Sequence, residues 1–228
     1  MKDQYDISRR IRRQAMEELL AHARQRYGEI FFQVARQCYP GLAELQDGRF
    51  EALFLPWALY RWKPQQSALA GIDSRKGAAL PASILAEEYL QEMGEGSKIM
   101  RAHVLSCIRT IFRFLKAGRK DSGIFIMEDM LDQRKLRIPA AELPQGTQKG
   151  DILFAHTATV EGMTLPTHPP LRMEGCKSDE ARDDFEKLQA MVSAQWRNPP
   201  AGDRDELHTI VEHLLFMHAR HCLDGETD

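Results

Sequence analysis

Two sets of histidine and cysteine residues have the spacing of side chains that share one face of a helix. His103 and Cys107 are four residues apart, and His218, His221 and Cys222 follow an i, i+3, i+4 pattern near the C-terminus. Imidazole and thiolate groups are the ligands that zinc prefers. If the two helices touch, these five side chains form a metal site, which would serve a structural role or a hydrolase.

The same residues also fit a structural interpretation, in which Cys107 packs as a small apolar side chain and the histidines are exposed or hydrogen-bonded. A nucleophile–base pair of Ser106 or Cys107 with His103 lacks a third, orienting group. The neighbouring acids Glu128 and Asp129 fit a turn better than a cleft between two carboxylates. The sequence therefore predicts no catalytic residue and no resident cofactor beyond the zinc alternative.

A basic segment near the N-terminus offers a second kind of site. It contains Arg9, Arg10, Arg12 and Arg13. Such a cluster binds phosphate or an acidic protein surface, or it is a solvated helix face paired with acids four residues away. The net charge of −2 argues against general affinity for nucleic acid, because the chain has no overall positive field. A protein partner is therefore expected first and nucleic acid second.

An aromatic segment at residues 54–64 contains two of the three tryptophans, Trp57 and Trp62. Large aromatic side chains bury the most apolar area, so the segment is expected to anchor a hydrophobic core. The same composition is typical of an interaction hot spot, which leaves an exposed interface as the alternative.

Periodicity predicts helices around this segment and short strands after it. Apolar residues recur at helical spacing in residues 6–27, 30–38, 48–62, 81–93, 97–109, 178–196 and from 203 onward. Short apolar runs between turn signals predict a small antiparallel β unit at about residues 110–165. The expected fold is α+β, with a mainly helical body and the β unit inserted between N- and C-terminal helices.

Three regions follow from this order of elements. Residues 1–109 form a helical region with the aromatic core segment, and residues 110–172 form the β unit. Residues 173–228 form a C-terminal helical pair that packs back on the body. No internal repeat is evident.

The order of elements resembles the body of a group of uncharacterised bacterial proteins that carry a SEC-C zinc motif. The matching residues of the aromatic helix are Phe54, Trp57, Leu59 and Tyr60. The matching residues of the β unit are Asp129-Met130-Leu131 and Gly150-Asp151-Ile152-Leu153. The resemblance covers roughly residues 48–172 and implies a fold. The group's Cys-x-Cys zinc tail has no counterpart here, so its metal binding does not carry over.

Composition sets the remaining expectations. The chain has 43% hydrophobic and 28% charged residues, which is ordinary for a soluble globular protein. No apolar run approaches the roughly 20 residues that span a bilayer, and no secretory signal is evident, so a cytoplasmic location is expected. The four widely spaced cysteines are then expected to be free thiols. We expect a non-enzymatic protein-binding or regulatory module of unassigned oligomeric state.

Overall fold

The computed structural model describes residues 2–40, 50–64, 80–94, 97–160, 162–173, 183, 185–190 and 204–224. The chain divides into two compact units. One contains residues 1–110 and 158–163, and the other contains residues 111–157 and 164–228. Helices and antiparallel strands are both present, so the mixed α+β class predicted from the sequence is confirmed.

The predicted insertion of the β unit between N- and C-terminal helices is not supported. The strands lie in the C-terminal part of the chain, and the last helix belongs to the same compact unit as the sheet. The physical reason is aromatic packing, since the ring of Phe216 lies 4.9 Å from that of Phe112 and 5.2 Å from that of Phe154. The helix therefore completes the core of the sheet unit.

The first unit contains five helices in its described residues. Their bounds are α1 Lys2–Tyr27, α2 Glu29–Cys38, α3 Glu51–Tyr60, α4 Leu85–Glu92 and α5 Lys98–Arg109. Gly28 separates α1 from α2 with a φ of 65°, a conformation that glycine adopts without steric cost. The predicted helix at 81–93 begins later than expected, because Ile84 has an extended backbone and caps α4.

The aromatic segment forms the buried helix α3 and the residues that follow it. Pro56 lies inside this helix, and Trp57 and Trp62 are only 6% and 5% exposed. The Trp57 ring packs 5.2 Å from Tyr39 and 6.1 Å from Trp62. This burial favours the core interpretation of the segment.

Polar contacts join α1 to α4 within the same unit. Tyr89 donates a hydrogen bond to Glu18, and Tyr27 donates one to Glu88. Burial, together with the bond to Glu88, raises the pKa of Tyr27 to about 12, so the phenol stays protonated and remains a donor. These bonds tie the polar edge of α1 to its neighbour while its apolar face is buried.

The second unit is built on an antiparallel sheet. Its strands are β1 Arg113–Asp121, β2 Ile124–Asp129, β3 Lys135–Pro139, β4 Ile152–Ala155 and β7 Leu171–Arg172, in the spatial order β3-β2-β1-β4-β7. Two further strands, β5 Thr157–Val160 and β6 Met163–Pro166, pair with each other, and residues 158–163 of this pair belong to the first unit. Residues 185–190 are helical, and the last helix is α6 Arg204–Asp224. None of the helices in the described residues has the length and apolarity needed to cross a membrane.

A buried ion pair closes the end of β2. The fully buried Asp129 accepts hydrogen bonds from the Arg113 guanidinium and from the Leu131 amide at 2.9 Å. Burial raises the pKa of Asp129, and the positive charge of Arg113 opposes that effect. Asp129 therefore has the turn-forming role expected from the sequence and is not open to a substrate.

Candidate functional site

The alternation of side chains along β1 gives the sheet two different faces. Leu115 and Ala117 point into a closed apolar cluster with Met127 and Leu153. Phe114 and Lys116 occupy the alternate positions and therefore lie on the opposite face. That second face carries the candidate site, because the helices among the described residues cover only part of it.

Three rings form the covered end of this second face. The centroid of Phe114 lies 5.3 Å from Phe185 and 5.2 Å from His218, and those two rings are 5.4 Å apart. Phe114 meets both partners nearly edge-on, at 72° and 74°. Edge-to-face packing of this kind is a preferred arrangement of aromatic side chains. It positions residues 185–190 and α6 against β1.

One hydrogen bond fixes the short helical segment on the sheet. The side-chain amide of Gln189 donates to the backbone oxygen of Met130 at 2.8 Å. Met130 in turn donates its amide to the backbone oxygen of Phe114 at 2.9 Å. The segment is therefore joined to the end of β2 and, through it, to β1.

A cavity of about 290 Å³ opens beside the three rings, and we call it the sheet pocket. Its lining residues are Phe114, Lys116, Glu128, Met130, Gln133, Ile152, Phe185, Glu186, Gln189 and His218. Its volume is at the lower end of small-molecule sites, which span roughly 300–1,000 Å³. The pocket combines an apolar floor with charged and amide side chains, which is the usual composition of such sites.

Charged groups of both signs lie at the rim of the sheet pocket. Lys116 on β1 is directly opposite Glu128 on β2, and Glu186 adds a second carboxylate. All three side chains are exposed. Within the part of the chain that the structure describes, none of the three forms an ion pair. The rim therefore presents one cation and two anions to whatever enters.

His218 connects the pocket to the C-terminal cysteine. Its Nε2 lies 3.6 Å from Sγ of Cys222. Cys222 is disulfide-bonded, so the expectation of four free thiols is wrong for this residue. A sulfur in a disulfide bond is not a thiolate, and only the thiolate is a strong metal ligand. Cys38 and Cys107 are free, and Cys176 lies outside the described residues.

The predicted metal ligands fall into two sets in different units. His103 and Cys107 lie on α5 in the first unit, with Nε2 and Sγ 3.7 Å apart, whereas His218 and Cys222 lie in the second unit. The side chain of His221 is outside the described part of the structure. No group of three or more His, Cys, Asp and Glu side chains among the described residues is arranged to hold a metal ion. The five-residue zinc site stays a prediction.

The His103–Cys107 pair is embedded in the helical core. Burial, and secondarily the charge of Arg12, lowers the pKa of His103 to about 4. Burial also raises the pKa of the Cys107 thiol, and that of Tyr60, to which Cys107 is hydrogen-bonded. All three groups are therefore neutral near pH 7. This arrangement suits a satisfied core cluster more than an activated nucleophile.

The N-terminal arginines lie on the outer part of α1. Arg9, Arg10 and Arg13 are exposed, and Arg12 is half-buried. Arg13 lies 3.9 Å from Glu17 in an exposed pair one helical turn away. Exposed pairs of this kind contribute little to stability. The acidic-partner and nucleic-acid interpretations of this segment both stay predictions.

The comparisons with known proteins returned no match. No protein-family model matches the chain, and neither a curated protein nor a solved structure matches it. The resemblance to the body of SEC-C proteins therefore stays a prediction, and the case for a function depends on the site itself.

The sequence did not point to the sheet pocket. Lys116, Glu128 and Phe185 belong to no motif in the sequence, and the spacing of His218 predicts a metal ligand. The usable signal was the alternation in β1, where a phenylalanine and a lysine two residues apart share one face. The alternation in β1 indicates an amphipathic face of the strand. It does not indicate which helix packs on that face.

Proposed function

We propose that this chain is a non-enzymatic regulatory module that binds a small organic ligand in the sheet pocket. The observation that carries the proposal is the cavity of about 290 Å³ with an aromatic floor and a charged rim. Apolar surface supplies affinity in such a site, and a few polar groups fix the orientation of the ligand. The volume suits a ligand with one ring and a short polar substituent.

Binding fits the lining better than catalysis does. The described lining has one imidazole and two carboxylates, but no serine, threonine or cysteine beside them that would act as a nucleophile. The ring of His218 is packed against Phe114 and Phe185 and is 8% exposed. A side chain held between two rings is well placed to contact a ligand.

The broader expectations from the sequence belong to the same proposal. A protein partner, a cytoplasmic location and a body like that of the SEC-C group are all compatible with a ligand-binding regulatory module. The disulfide bond of Cys222 is the observation that weighs against a permanently reducing compartment. Binding experiments therefore use the protein without added reductant, so that this disulfide bond stays intact.

A titration with a neutral ring compound tests the proposed function. Benzyl alcohol is added to protein carrying ¹³C-labelled methionine and isoleucine methyl groups, and the methyl signals are followed by NMR. We expect saturable shifts of Met130 and Ile152, which line the pocket, and no shift of Ile138, which packs on the opposite face. A Glu186→Trp variant should abolish those shifts, because the indole would fill the open pocket.

Lys187→Trp is the matched control, since Lys187 is an exposed neighbour in the same segment that does not line the pocket. This control should bind as the unmodified protein does. Shifts confined to distant methyl groups, or equal losses in both tryptophan variants, would contradict the proposal.

A further inference from the structure

We infer that the ligand is a small aromatic zwitterion, with an amine and a carboxylate on one single-ring body. The inference rests on the proposed function and adds the chemical class of the ligand. It is carried by the position of unpaired charges of both signs beside a floor of aromatic rings.

The ring is matched by the floor of the sheet pocket. Phe114, Phe185 and His218 surround one end, and Ile152 and Met130 complete the apolar surface. Aromatic partners at centroid distances of 4.5–7 Å gain interaction energy beyond the area they bury. A cavity of about 290 Å³ admits one ring and a short chain, and it is small for the larger ligands of typical sites.

The charges are matched by a cross-strand pair. Lys116 and Glu128 are register partners, and residues directly opposite on antiparallel strands have Cβ atoms about 4.5–5.5 Å apart. In the described structure they do not form an ion pair with each other or with another residue. A ligand amine and carboxylate bonded to one carbon would therefore meet opposite charges across one ladder position.

The relative number of charges sets an order among ligands. Among the lining residues, Glu186 joins Glu128 at the rim, so the amine has two carboxylates to contact whereas the carboxylate has only Lys116; Lys135, directly opposite Glu128 on β3, does not line the pocket. Charge-assisted hydrogen bonds are about twice as strong as neutral ones. A zwitterion should bind best, an amine without a carboxylate next, and a carboxylate without an amine least well.

Calorimetric titration with three compounds that share one ring tests this order. The probes are L-phenylalanine, phenethylamine and 3-phenylpropionate, each added to the full chain. We expect L-phenylalanine to bind at least tenfold more tightly than 3-phenylpropionate, with phenethylamine between them. Lys116→Met should weaken L-phenylalanine at least tenfold and leave phenethylamine nearly unchanged. Glu128→Gln should weaken both amines.

Lys149→Met is the matched control, because Lys149 is an exposed lysine of the same unit that does not line the pocket. It should leave all three affinities unchanged. If the three probes and benzyl alcohol bind with equal affinity and the Lys116 and Glu128 variants change nothing, the inference fails while the proposed function stands. If none of the four compounds shifts the Met130 and Ile152 methyl signals, both fail.

Discussion

At the scale of single residues, helical spacing predicts contacts within one helix but not between helices. The four-residue spacing places His103 beside Cys107 and His218 beside Cys222. Whether two such pairs converge depends on the packing of helices that are more than 100 residues apart in the chain. Sequence periodicity does not show whether two helices pack against each other. The sequence therefore predicts the ligand pairs of a metal site but not that the pairs come together.

His103 makes the stability of the protein dependent on pH. In the unfolded chain its imidazole ionises near the ordinary value of 6.5, whereas in the folded protein burial lowers the pKa to about 4. As the pH falls from 6.5 to 4, the unfolded state takes up the proton first. The stability contributed by the neutral side chain is therefore complete above about pH 6.5 and is lost across this window.

Between pH 7 and pH 4.5, the free energy of unfolding of the natural protein should fall by about 2 kcal/mol more than that of His103→Gln. This value follows because each unit of pKa shift corresponds to about 1.4 kcal/mol. Urea unfolding at the two pH values measures the difference. Equal losses in the two proteins would contradict the low pKa of the buried imidazole.

At the scale of elements, the sequence predicted the existence of helices and strands well and their ends less well. The predicted helix at 97–109 corresponds closely to α5, and strands β1 to β4 lie within the β unit predicted at about residues 110–165. Ser97 marks the start of α5 because its hydroxyl accepts a hydrogen bond from the Met100 amide at 3.4 Å. The start of α4 was misplaced because a proline at 81 is compatible with a first helical turn but does not require one.

The pairing of β1 with β2 depends on a glycine. A Cβ atom at Gly118 would lie 2.4 Å from the backbone oxygen of Ile126, and the register of the two strands shifts between Ala117 and Lys120. A close approach of two backbones is a common reason for glycine within a strand. The same irregularity ends the regular ladder that holds Lys116 opposite Glu128.

Gly118→Ala should therefore destabilise the protein by about 1–3 kcal/mol, the usual cost of forcing an extra carbon into a packed site. Urea unfolding gives the value. Arg119→Ala at the exposed neighbouring position should change stability by no more than about 0.5 kcal/mol. If Gly118→Ala were as stable as Arg119→Ala, β1 and β2 would be able to move apart at this point without loss of stability, which would contradict the prediction.

At the scale of the whole molecule, the candidate site is assembled from distant parts of one unit. Its lining extends from Phe114 to His218 and draws on β1, β2, β4, residues 185–190 and α6. The sequence supplied the mixed α+β class and most of these elements. It could not show that α6 packs on the sheet, because an apolar helix face is equally suited to either unit until the tertiary contacts are known.

The two units also separate the candidate functions. The exposed arginines belong to the helical unit and the sheet pocket belongs to the other. That the sheet pocket binds a ligand is the central claim, because its lining combines a cavity, aromatic side chains and charged side chains that form no ion pair in the described structure.

The most direct test of that claim is a crystal structure of the full chain grown with L-phenylalanine. We predict electron density for the ring against Phe114, Phe185 and His218, with the carboxylate near Lys116 and the amine near Glu128. A structure in which the pocket is filled by the protein's own side chains, or in which the ligand lies elsewhere, would contradict the account.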